Sequence, residues 1–357
     1  MAVMTNILAK SKIELDSTKK LLGKDVPTYR QAYSDRTAWI MACLSELAYI
    51  KFNEPIIKKD DTKLVEVVSE LISENKAASL SKLIDLLSYD SEEEKEKLKA
   101  DLNILNMKIE KLFDSNGTQA MIVSNDKFYV LAFRGTEPTS IKDIKADMKV
   151  ASRKCESGGR IHTGFNDAFA EVHIELQKYL DSLEEEKPLF ITGHSLGGAL
   201  ATVATKKLTH KYGIAGCYTY GSPRVGDEEW MDNIKTPIYR LVNSADPVTM
   251  LPLGSDVINA IVWLSKFIPY IGKPARTYLL SKVTGYYHAG DMRYITNVTT
   301  GNYKDAHLLY HVSFIRRIRA YGFNIASLKA IPSDHSITVY RKKLSFIALT
   351  RNSNIGA

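Results

Sequence analysis

A serine flanked by glycines is the pattern with the clearest chemical meaning in this sequence. Ser195 lies in the run GHSLGG, residues 193–198, between the apolar stretch 188–192 and a helical pattern over residues 199–211. This order predicts a strand, a sharp turn and a helix. Such a turn projects a nucleophilic serine, and glycines two positions to either side leave the space that its strained backbone needs. The other interpretation, a serine that only caps the helix, is disfavoured because both a strand and a helix flank the motif.

The sequence also offers an acid for a serine nucleophile. A serine hydroxyl is a weak nucleophile at its ordinary pKa, so catalysis needs a histidine base and an acid that orients the histidine. After a serine in a strand-turn-helix, the acid and then the histidine follow along the chain. Asp246 comes just after the apolar strand 238–243, at the carboxyl end where catalytic groups collect in parallel sheets. We therefore predict Asp246 as the acid, although an Asp-Pro pair by itself would indicate only a turn.

Several histidines after Asp246 compete for the role of the base, and spacing alone does not rank their distances from Ser195. The candidates are His288, His307, His311 and His335. His307 and His311 lie four residues apart in an apolar pattern that predicts a helix, where structural histidines are the default, and no carboxylate signature points to a metal pair. His335 lies in a loop, residues 331–336, and a loop aims a side chain more easily. His335 is the predicted base, and His307 stays the alternative.

An oxyanion hole needs two donors placed where negative charge develops on the substrate. The residue after the nucleophile supplies one of them, which makes the backbone N–H of Leu196 the first candidate. The second donor should come from the end of an earlier strand. The predicted strand 127–134 is followed by Gly135 and Thr136. We therefore predict the backbone N–H of Thr136 as the second donor, positioned by its own hydroxyl.

Strands and helices alternate through most of the chain. After a helix over residues 36–52, we predict strands at 118–123, 127–134, 189–192, 214–220, 238–243 and 292–298, with helices after residues 167 and 195. This alternation predicts an α/β fold, with a mostly parallel central sheet flanked by helices and a single domain over residues 1–357. Residues 54–112, rich in Lys and Glu, carry amphipathic patterns at 64–87 and from Leu98 to Leu112. We interpret 54–112 as a helical insertion that either caps the site or only covers the core.

Composition and charge exclude several classes of protein. The 357 residues carry a formal net charge of +7 with acids and bases mixed, which does not indicate a nucleic-acid binder. Three widely spaced cysteines form no zinc pattern, so no metal is predicted. The first 15 residues contain no signal-peptide apolar run, and the apolar stretch 257–272 is too short to cross a membrane. We therefore expect a cytoplasmic protein, or one exported without a Sec signal.

Five motifs in the right order resemble the class 3 lipase family. They are FRGT at 133–136, HTGF at 162–165, GHSLGG at 193–198, YGSPRVG at 220–226 and NSADPV at 243–248. The resemblance covers roughly residues 110–345 and implies an alpha/beta-hydrolase fold. Asp334-His335-Ser336 with Tyr340 resembles the family's final motif, which supports His335 as the base. Residues 305–310 resemble a fungal-type version of the same motif, which keeps His307 as the alternative.

Two segments have a family-related interpretation and a structural one. Residues 139–148 resemble the family's amphipathic lid, with Ile141, Ile144 and Met148 as its apolar face, and a helix packed on the core would explain the same pattern. Residues 253–286 form an apolar and basic insertion where ordinary members are shorter. This insertion suits docking on anionic lipid, and a buried core helix explains its residues as well.

The resemblance implies a serine hydrolase that cleaves carboxylic esters of lipids, either a triacylglycerol lipase or a phospholipase A, through an acyl-enzyme on Ser195. It implies no metal or organic cofactor, and a lipid substrate as the partner, with an anionic membrane as one candidate surface. Acyl chain length, head group and oligomeric state stay open. The alternatives are a membrane-damaging phospholipase effector or toxin, an esterase of small esters, and a lipid-binding module without activity.

Overall fold

The structure, a computed structural model, describes the greater part of the chain. The described residues are 6–28, 32–52, 68–70, 72–73, 90–136, 152–156, 158–232, 234–244, 246–252, 285–298, 301–310, 312–313 and 334–353. The predicted lid at 139–148 lies outside them, as do residues 253–284 of the apolar and basic insertion and most of residues 54–89 in the predicted helical insertion.

Among the described residues, an eight-stranded sheet forms the centre of the fold. Its strands lie side by side in the order β1 (Lys108–Ser115), β2 (Thr118–Ser124), β3 (Tyr129–Phe133), β6 (Leu189–His194), β7 (Ile214–Tyr220), β8 (Ile238–Asn243), β9 (Asp291–Ile295) and β10 (Leu308–Tyr310). Strands β3 and β6 to β9 run parallel, whereas β1, β2 and β10 pair antiparallel with their neighbours. A separate hairpin joins β4 (Ser152–Lys154) and β5 (Arg160–His162). The predicted mostly parallel sheet is confirmed.

Helices pack on both faces of this sheet, as predicted. They are α1 (Lys12–Leu22), α2 (Asp35–Leu47), α3 (Ser91–Ile104), α4 (Thr163–Asp181), α5 (Leu196–Lys207), α6 (Glu228–Asp232) and α7 (Ile337–Ser353). Side chains alternate along a strand, so Met121 and Val123 of β2 join one buried cluster while Ala120 and Ile122 join the other. The first cluster contains residues of α1, α2, α3 and α7, and the second contains residues of α4 and α5. None of the described helices is long and apolar enough to span a membrane.

The helical pattern predicted from Leu98 to Leu112 is wrong beyond residue 104. At the end of α3, Asn106 adopts a φ of 55°, and the N–H of Met107 donates to the Leu102 carbonyl at 2.9 Å, which closes the helix. Ile109 and Leu112 lie in β1 instead, on either side of an irregularity in its pairing with β2. An extra residue in a strand shifts the alternation, so side chains three apart can face one side, as they do in a helix. Both residues pack against the first cluster, which explains the false helical spacing.

A buried ion pair joins α2 to α7. Arg341 donates through Nε to a carboxylate oxygen of Glu46, and the two side chains are 6% and 8% exposed. Glu46→Gln would remove the carboxylate that contacts the buried guanidinium. Removing one partner of a buried pair is strongly destabilising, so we expect the free energy of unfolding in urea to fall by about 3 kcal/mol or more.

The exposed pair of Glu96 and Lys99 on α3 provides the control for this stability prediction. Both side chains are 54% exposed. Water screens such a pair, so Glu96→Gln should leave the urea midpoint unchanged. Equal effects of Glu46→Gln and Glu96→Gln would contradict the stabilising role of the buried pair.

Candidate active site

Ser195 lies at a sharp turn between β6 and α5. Its φ of 57° and ψ of −126° are strained for a residue with a side chain. A Cβ on Gly193 would lie 2.1 Å from the Gly197 oxygen, and a Cβ on Gly197 would lie 2.4 Å from the Phe133 oxygen. The Ser195 N–H donates to the Tyr220 carbonyl of β7 at 2.9 Å. Only glycine therefore fits at the two flanking positions, and the turn holds Ser195 at the carboxyl ends of the parallel strands.

The His335 ring lies between Ser195 and Asp246. Its Nε2 accepts a hydrogen bond from the Ser195 hydroxyl at 2.9 Å, and its Nδ1 donates to the two Asp246 carboxylate oxygens at 2.9 and 3.0 Å. All three side chains are buried. Asp246 follows β8 and His335 precedes α7, so the fold brings together segments that lie far apart in the chain. In this geometry a neutral imidazole can take the serine proton while the carboxylate stabilises the imidazolium.

The alternative base, His307, lies at the edge of the sheet. The helix predicted around it is wrong, because Leu308–Tyr310 form β10 against β9, and short apolar runs do not distinguish helix from strand. His307 is exposed, and its N–H donates to the Thr296 hydroxyl at 2.9 Å. Four strand spacings separate β10 from β6, which is about 19 Å at the usual spacing. The structure therefore brings His335, and not His307, to Ser195.

The two other histidines have different positions. His288 hydrogen-bonds through Nε2 to the Thr249 carbonyl at 2.7 Å. His311 lies outside the described residues.

Asp246 has donors besides His335. Its Oδ2 accepts from the Tyr340 hydroxyl at 2.7 Å, and its Oδ1 accepts from the Val248 N–H at 3.0 Å. The Tyr340 hydroxyl in turn accepts from the Asn243 N–H at 2.8 Å. Burial, followed by the nearby Asp246 charge, raises the pKa of Tyr340 well above its usual value, so the phenol keeps the proton that it donates. These donors orient the carboxylate toward the His335 ring.

Tyr340→Phe would remove one donor to Asp246 while keeping the aromatic ring, which packs against Tyr220 at 5.9 Å between centroids. A hydrogen bond to a charged group contributes about 1.5–3 kcal/mol, so we expect kcat to fall roughly tenfold to a hundredfold. The measurement is turnover of a soluble ester by variant and wild type, with thermal unfolding as the check on the fold. A variant as active as the wild type would show that Tyr340 does not orient Asp246.

His194, directly before Ser195, links the His335 loop to the end of β3. Its Nδ1 accepts from the Tyr49 hydroxyl at 2.8 Å, and its Nε2 donates to the His335 carbonyl at 2.6 Å. Burial, with a further contribution from His335, lowers the pKa of His194 well below its usual value, so one neutral tautomer serves both bonds. The Tyr49 hydroxyl also lies 2.3 Å from where a Cβ on Gly135 would be. The sequence did not predict that His194 supports the His335 carbonyl or that Tyr49 supports His194, and no local pattern marks Tyr49.

The predicted oxyanion donors come from two segments in contact. Thr136 follows β3, and Leu196 is the first residue of α5. A Cβ on Gly197 would lie 3.0 Å from the Gly135 nitrogen, so the end of β3 packs against the first turn of α5. The first N–H groups of a helix have no partner within the helix. Thr136 and Leu196 stay the predicted donors.

Gly221 is a further residue whose role in the site the sequence did not predict. It follows β7 with a φ of 56°, and a Cβ there would lie 2.6 Å from Asp246 Oδ2 and 3.0 Å from His335 Nδ1. Both the backbone conformation and the space beside the two side chains require glycine. A signal was present in YGSPRVG, because a glycine directly after a buried strand indicates a close approach of the backbone to another group.

These features define the class of protein. A parallel sheet with a serine at the turn after a central strand, and an acid and a histidine following in that order, is the alpha/beta-hydrolase fold. Residues 130–255 match the model of the class 3 lipase family. The resemblance that the motifs predict is confirmed over this segment, which contains Ser195 and Asp246.

Individual relatives cover parts of the chain. This chain is 33% identical to the secreted mono- and diacylglycerol lipase 1 of Fusarium solani over 134 residues. The match covers 35% of this chain and 40% of that protein. The chain is also 25% identical to the toxin TseL of Vibrio cholerae over 235 residues, a match that covers 53% of this chain and 36% of the toxin. A crystal structure of a mutant of MDLA from Penicillium cyclopium covers 78% of this chain and 87% of that chain, at 20% identity and a TM-score of 0.49. The chain spans less than half the length of the two curated relatives.

The expected location, in the cytoplasm or outside the cell without a Sec signal, is contradicted by the relatives. The Fusarium protein is named as secreted, which points to export from the cell. The expectation rested on the lack of an apolar run in the first 15 residues of the sequence. Because a signal peptide is removed from a mature protein, that lack does not indicate where a protein works.

Proposed function

We propose that this protein is a serine hydrolase that cleaves carboxylic esters of lipids. The observation that carries the proposal is the His335 ring, hydrogen-bonded to the Ser195 hydroxyl and to the Asp246 carboxylate, each at 2.9 Å. A ring in this position can accept the serine proton, and the buried carboxylate stabilises the resulting imidazolium. The match of residues 130–255 to the class 3 lipase family supports lipid esters as the substrate class.

The proposed mechanism is acyl transfer through Ser195. The Ser195 oxygen attacks the ester carbonyl while its proton moves to His335 Nε2, and the N–H groups of Leu196 and Thr136 bind the oxyanion. As the tetrahedral intermediate collapses, the leaving alcohol takes the proton from His335 and the acyl group stays on Ser195. His335 then deprotonates a water molecule, which attacks the acyl-enzyme. Fatty acid is released, and the proton returns to the serine oxygen.

Acylglycerols are the first substrates to test. The Fusarium relative is named for mono- and diacylglycerols, and we propose the same class of ester here, with phospholipids as the alternative. Such substrates are not monomeric in water, so the partner of this protein is a lipid surface.

Fatty-acid release by the purified protein tests this function. Mono- and diacylglycerol emulsions, a triacylglycerol emulsion and anionic phospholipid vesicles are compared in parallel, with Ser195→Ala as the matched control. Release that disappears in Ser195→Ala would support the proposal and identify the lipid. Hydrolysis of short soluble esters without release from any lipid would assign a small-ester esterase instead. Failure of Ser195 to react with a fluorophosphonate would reject a serine hydrolase of either kind.

The match to the toxin TseL, over 53% of this chain, favours a second candidate role for the same chemistry. In that role the hydrolase damages the membranes of another cell. Expression in a bacterial host, with and without direction to the periplasm, tests it. Growth inhibition by the wild type and not by Ser195→Ala would support an effector, and a wild type that is harmless in both compartments would count against it.

A further inference from the structure

A buried lysine lies beside the loop that carries His335. Lys343, on α7, is 1% exposed. Its ammonium group donates to the Asn243 side-chain oxygen at 2.7 Å and to the Thr296 carbonyl at 3.1 Å. Lysine is almost never fully buried, because its charge is poorly solvated in the interior. Its position at the end of β8, where Asp246 follows, therefore requires an explanation.

The Asn243 side chain connects this lysine to the His335 loop. Asn243 ends β8, and its Nδ2 donates to the Asp334 carbonyl at 2.8 Å. A lysine ammonium can only donate, so it fixes the amide oxygen toward itself and the amide nitrogen toward Asp334. In the reverse orientation the amide nitrogen would face the ammonium, and two oxygens would face each other. Lys343 thus selects the amide orientation that holds the Asp334 carbonyl.

We propose that Lys343 is a positioning residue for the general base: acting through the Asn243 amide, it holds the Asp334 peptide and keeps the His335 ring between Ser195 and Asp246. This inference rests on the proposed function, in which His335 is the base. The next carbonyl, that of His335 itself, accepts from His194 Nε2 at 2.6 Å. Two successive carbonyls, those of Asp334 and His335, are therefore held by side chains from β8 and β6, and Lys343 controls the contact between Asn243 and the Asp334 carbonyl.

The charge of Lys343 does not stabilise the fold at neutral pH. Burial lowers the pKa of Lys343 to about 8, and the Asp334 charge opposes the shift. The folded protein therefore binds this proton less readily than the unfolded chain, in which lysine has its ordinary, higher pKa. The unfavourable contribution to stability is present in full below pH 8 and is lost as the pH rises through 8 toward that ordinary value. The charge of Lys343 thus contributes unfavourably to stability at neutral pH, while its ammonium donates to the Asn243 amide that supports the base loop, and this combination fits a role in function.

Lys343→Met keeps the length of the side chain and removes its donors. We expect kcat to fall about tenfold or more, as for other small displacements of a reacting group, with KM nearly unchanged and no matching loss of thermal stability at pH 7. Lys343→Gln, which keeps a donor group, should give an intermediate kcat. Lys342→Met is the control, because Lys342 is partly exposed and lies 3.4 Å from Glu14. An unchanged kcat in Lys343→Met, whatever its stability, would overturn the inference.

A double-mutant cycle tests whether Lys343 acts through Asn243. Asn243→Leu removes the amide, so Lys343→Met should cause little further loss of kcat in that background. Losses of kcat that multiply in the double variant would overturn the route through Asn243.

The low-field NMR signal of the His335 Nδ1 proton gives a readout that does not require turnover. We assign it by its absence in His335→Ala. We expect it to shift or broaden in Lys343→Met and to stay unchanged in Lys342→Met; a signal unchanged in both would overturn the inference. If the wild type hydrolyses neither a lipid nor a soluble ester, the proposed function fails, and this signal alone decides whether Lys343 positions His335.

Discussion

His335→Ala should lower kcat for ester hydrolysis by about 10⁴-fold or more, because in a serine hydrolase loss of the histidine costs nearly as much as loss of the nucleophile. Without a base within hydrogen-bond distance, the Ser195 hydroxyl keeps its proton and attacks poorly. His335 Nε2 lies 2.9 Å from the Ser195 oxygen. His307 is exposed beside the edge strand β10, so His307→Ala should keep most of the activity. The measurement is kcat and KM on a soluble ester for both variants.

Imidazole provides the control that separates a lost base from a damaged fold. The His335→Ala variant leaves a cavity beside Ser195 and Asp246 that free imidazole can enter, so added imidazole should restore part of the activity. It should not change the activity of His307→Ala. Thermal unfolding of both variants checks the fold, since His335 is buried. The reverse pattern, an inactive His307→Ala and an active His335→Ala, would make His307 the base.

Gly221→Ala has the second largest expected effect, a fall in kcat of about a hundredfold or more with the fold retained. The added methyl group would lie 2.6 Å from Asp246 Oδ2 and 3.0 Å from His335 Nδ1, so one or both side chains must move. Displacing a reacting group by about 1 Å can cost about 10²-fold in rate. The methyl group would lie nearest Asp246 Oδ2 and the Nδ1 side of the His335 ring, whereas Ser195 contacts Nε2, so we expect KM to change much less than kcat. Steady-state kinetics on the same soluble ester measures both constants.

Gly213→Ala is the matched control for Gly221→Ala. Gly213 has a φ of 82°, and a Cβ there would have nothing within 4 Å. Both substitutions impose the cost of a left-handed backbone on alanine, which is roughly 1–2 kcal/mol of stability. Only Gly221→Ala adds a steric conflict beside His335 and Asp246, so kcat should be unchanged in Gly213→Ala. Similar losses of kcat in both variants would show that backbone strain, and not contact with the acid and the base, is responsible.

Local spacing was enough to predict most elements around the site. The strands 214–220 and 238–243 coincide with β7 and β8, and the predicted serine turn lies between β6 and α5. The two errors in secondary structure have one cause, because a short apolar run fits more than one periodicity. In β1, the irregularity near Ile109 imitates the spacing of a helix, and beside His307 only three residues form the strand. Pairing with neighbouring strands, rather than the spacing of their own residues, determines the secondary structure of these two segments.

The contacts around the site were predictable only where a single segment contains them. The glycines at 193 and 197 follow from the backbone of the turn itself, so the motif already indicates them. Gly221 and Tyr49 depend on partners that come from other segments, namely Asp246 and His335 for the first and His194 for the second. The glycine after a buried strand indicates a close approach at Gly221 but not which side chains it approaches, and Tyr49 is an ordinary residue type for the segment after a helix. The sequence alone therefore offered no reason to place Tyr49 in the site.

By itself, the sequence determined the α/β order of elements, the turn that presents Ser195 and the position of Asp246 after a parallel strand, because these depend on spacing within a few neighbouring residues. Only the tertiary structure decided which histidine reaches Ser195, since His335 lies 140 residues away from it. It also decided that Lys343, 100 residues from Asn243, is buried against that side chain. Hydrogen bonds act over about 3 Å and depend on direction. Contacts between distant segments therefore become defined only when the whole sheet and its helices have packed.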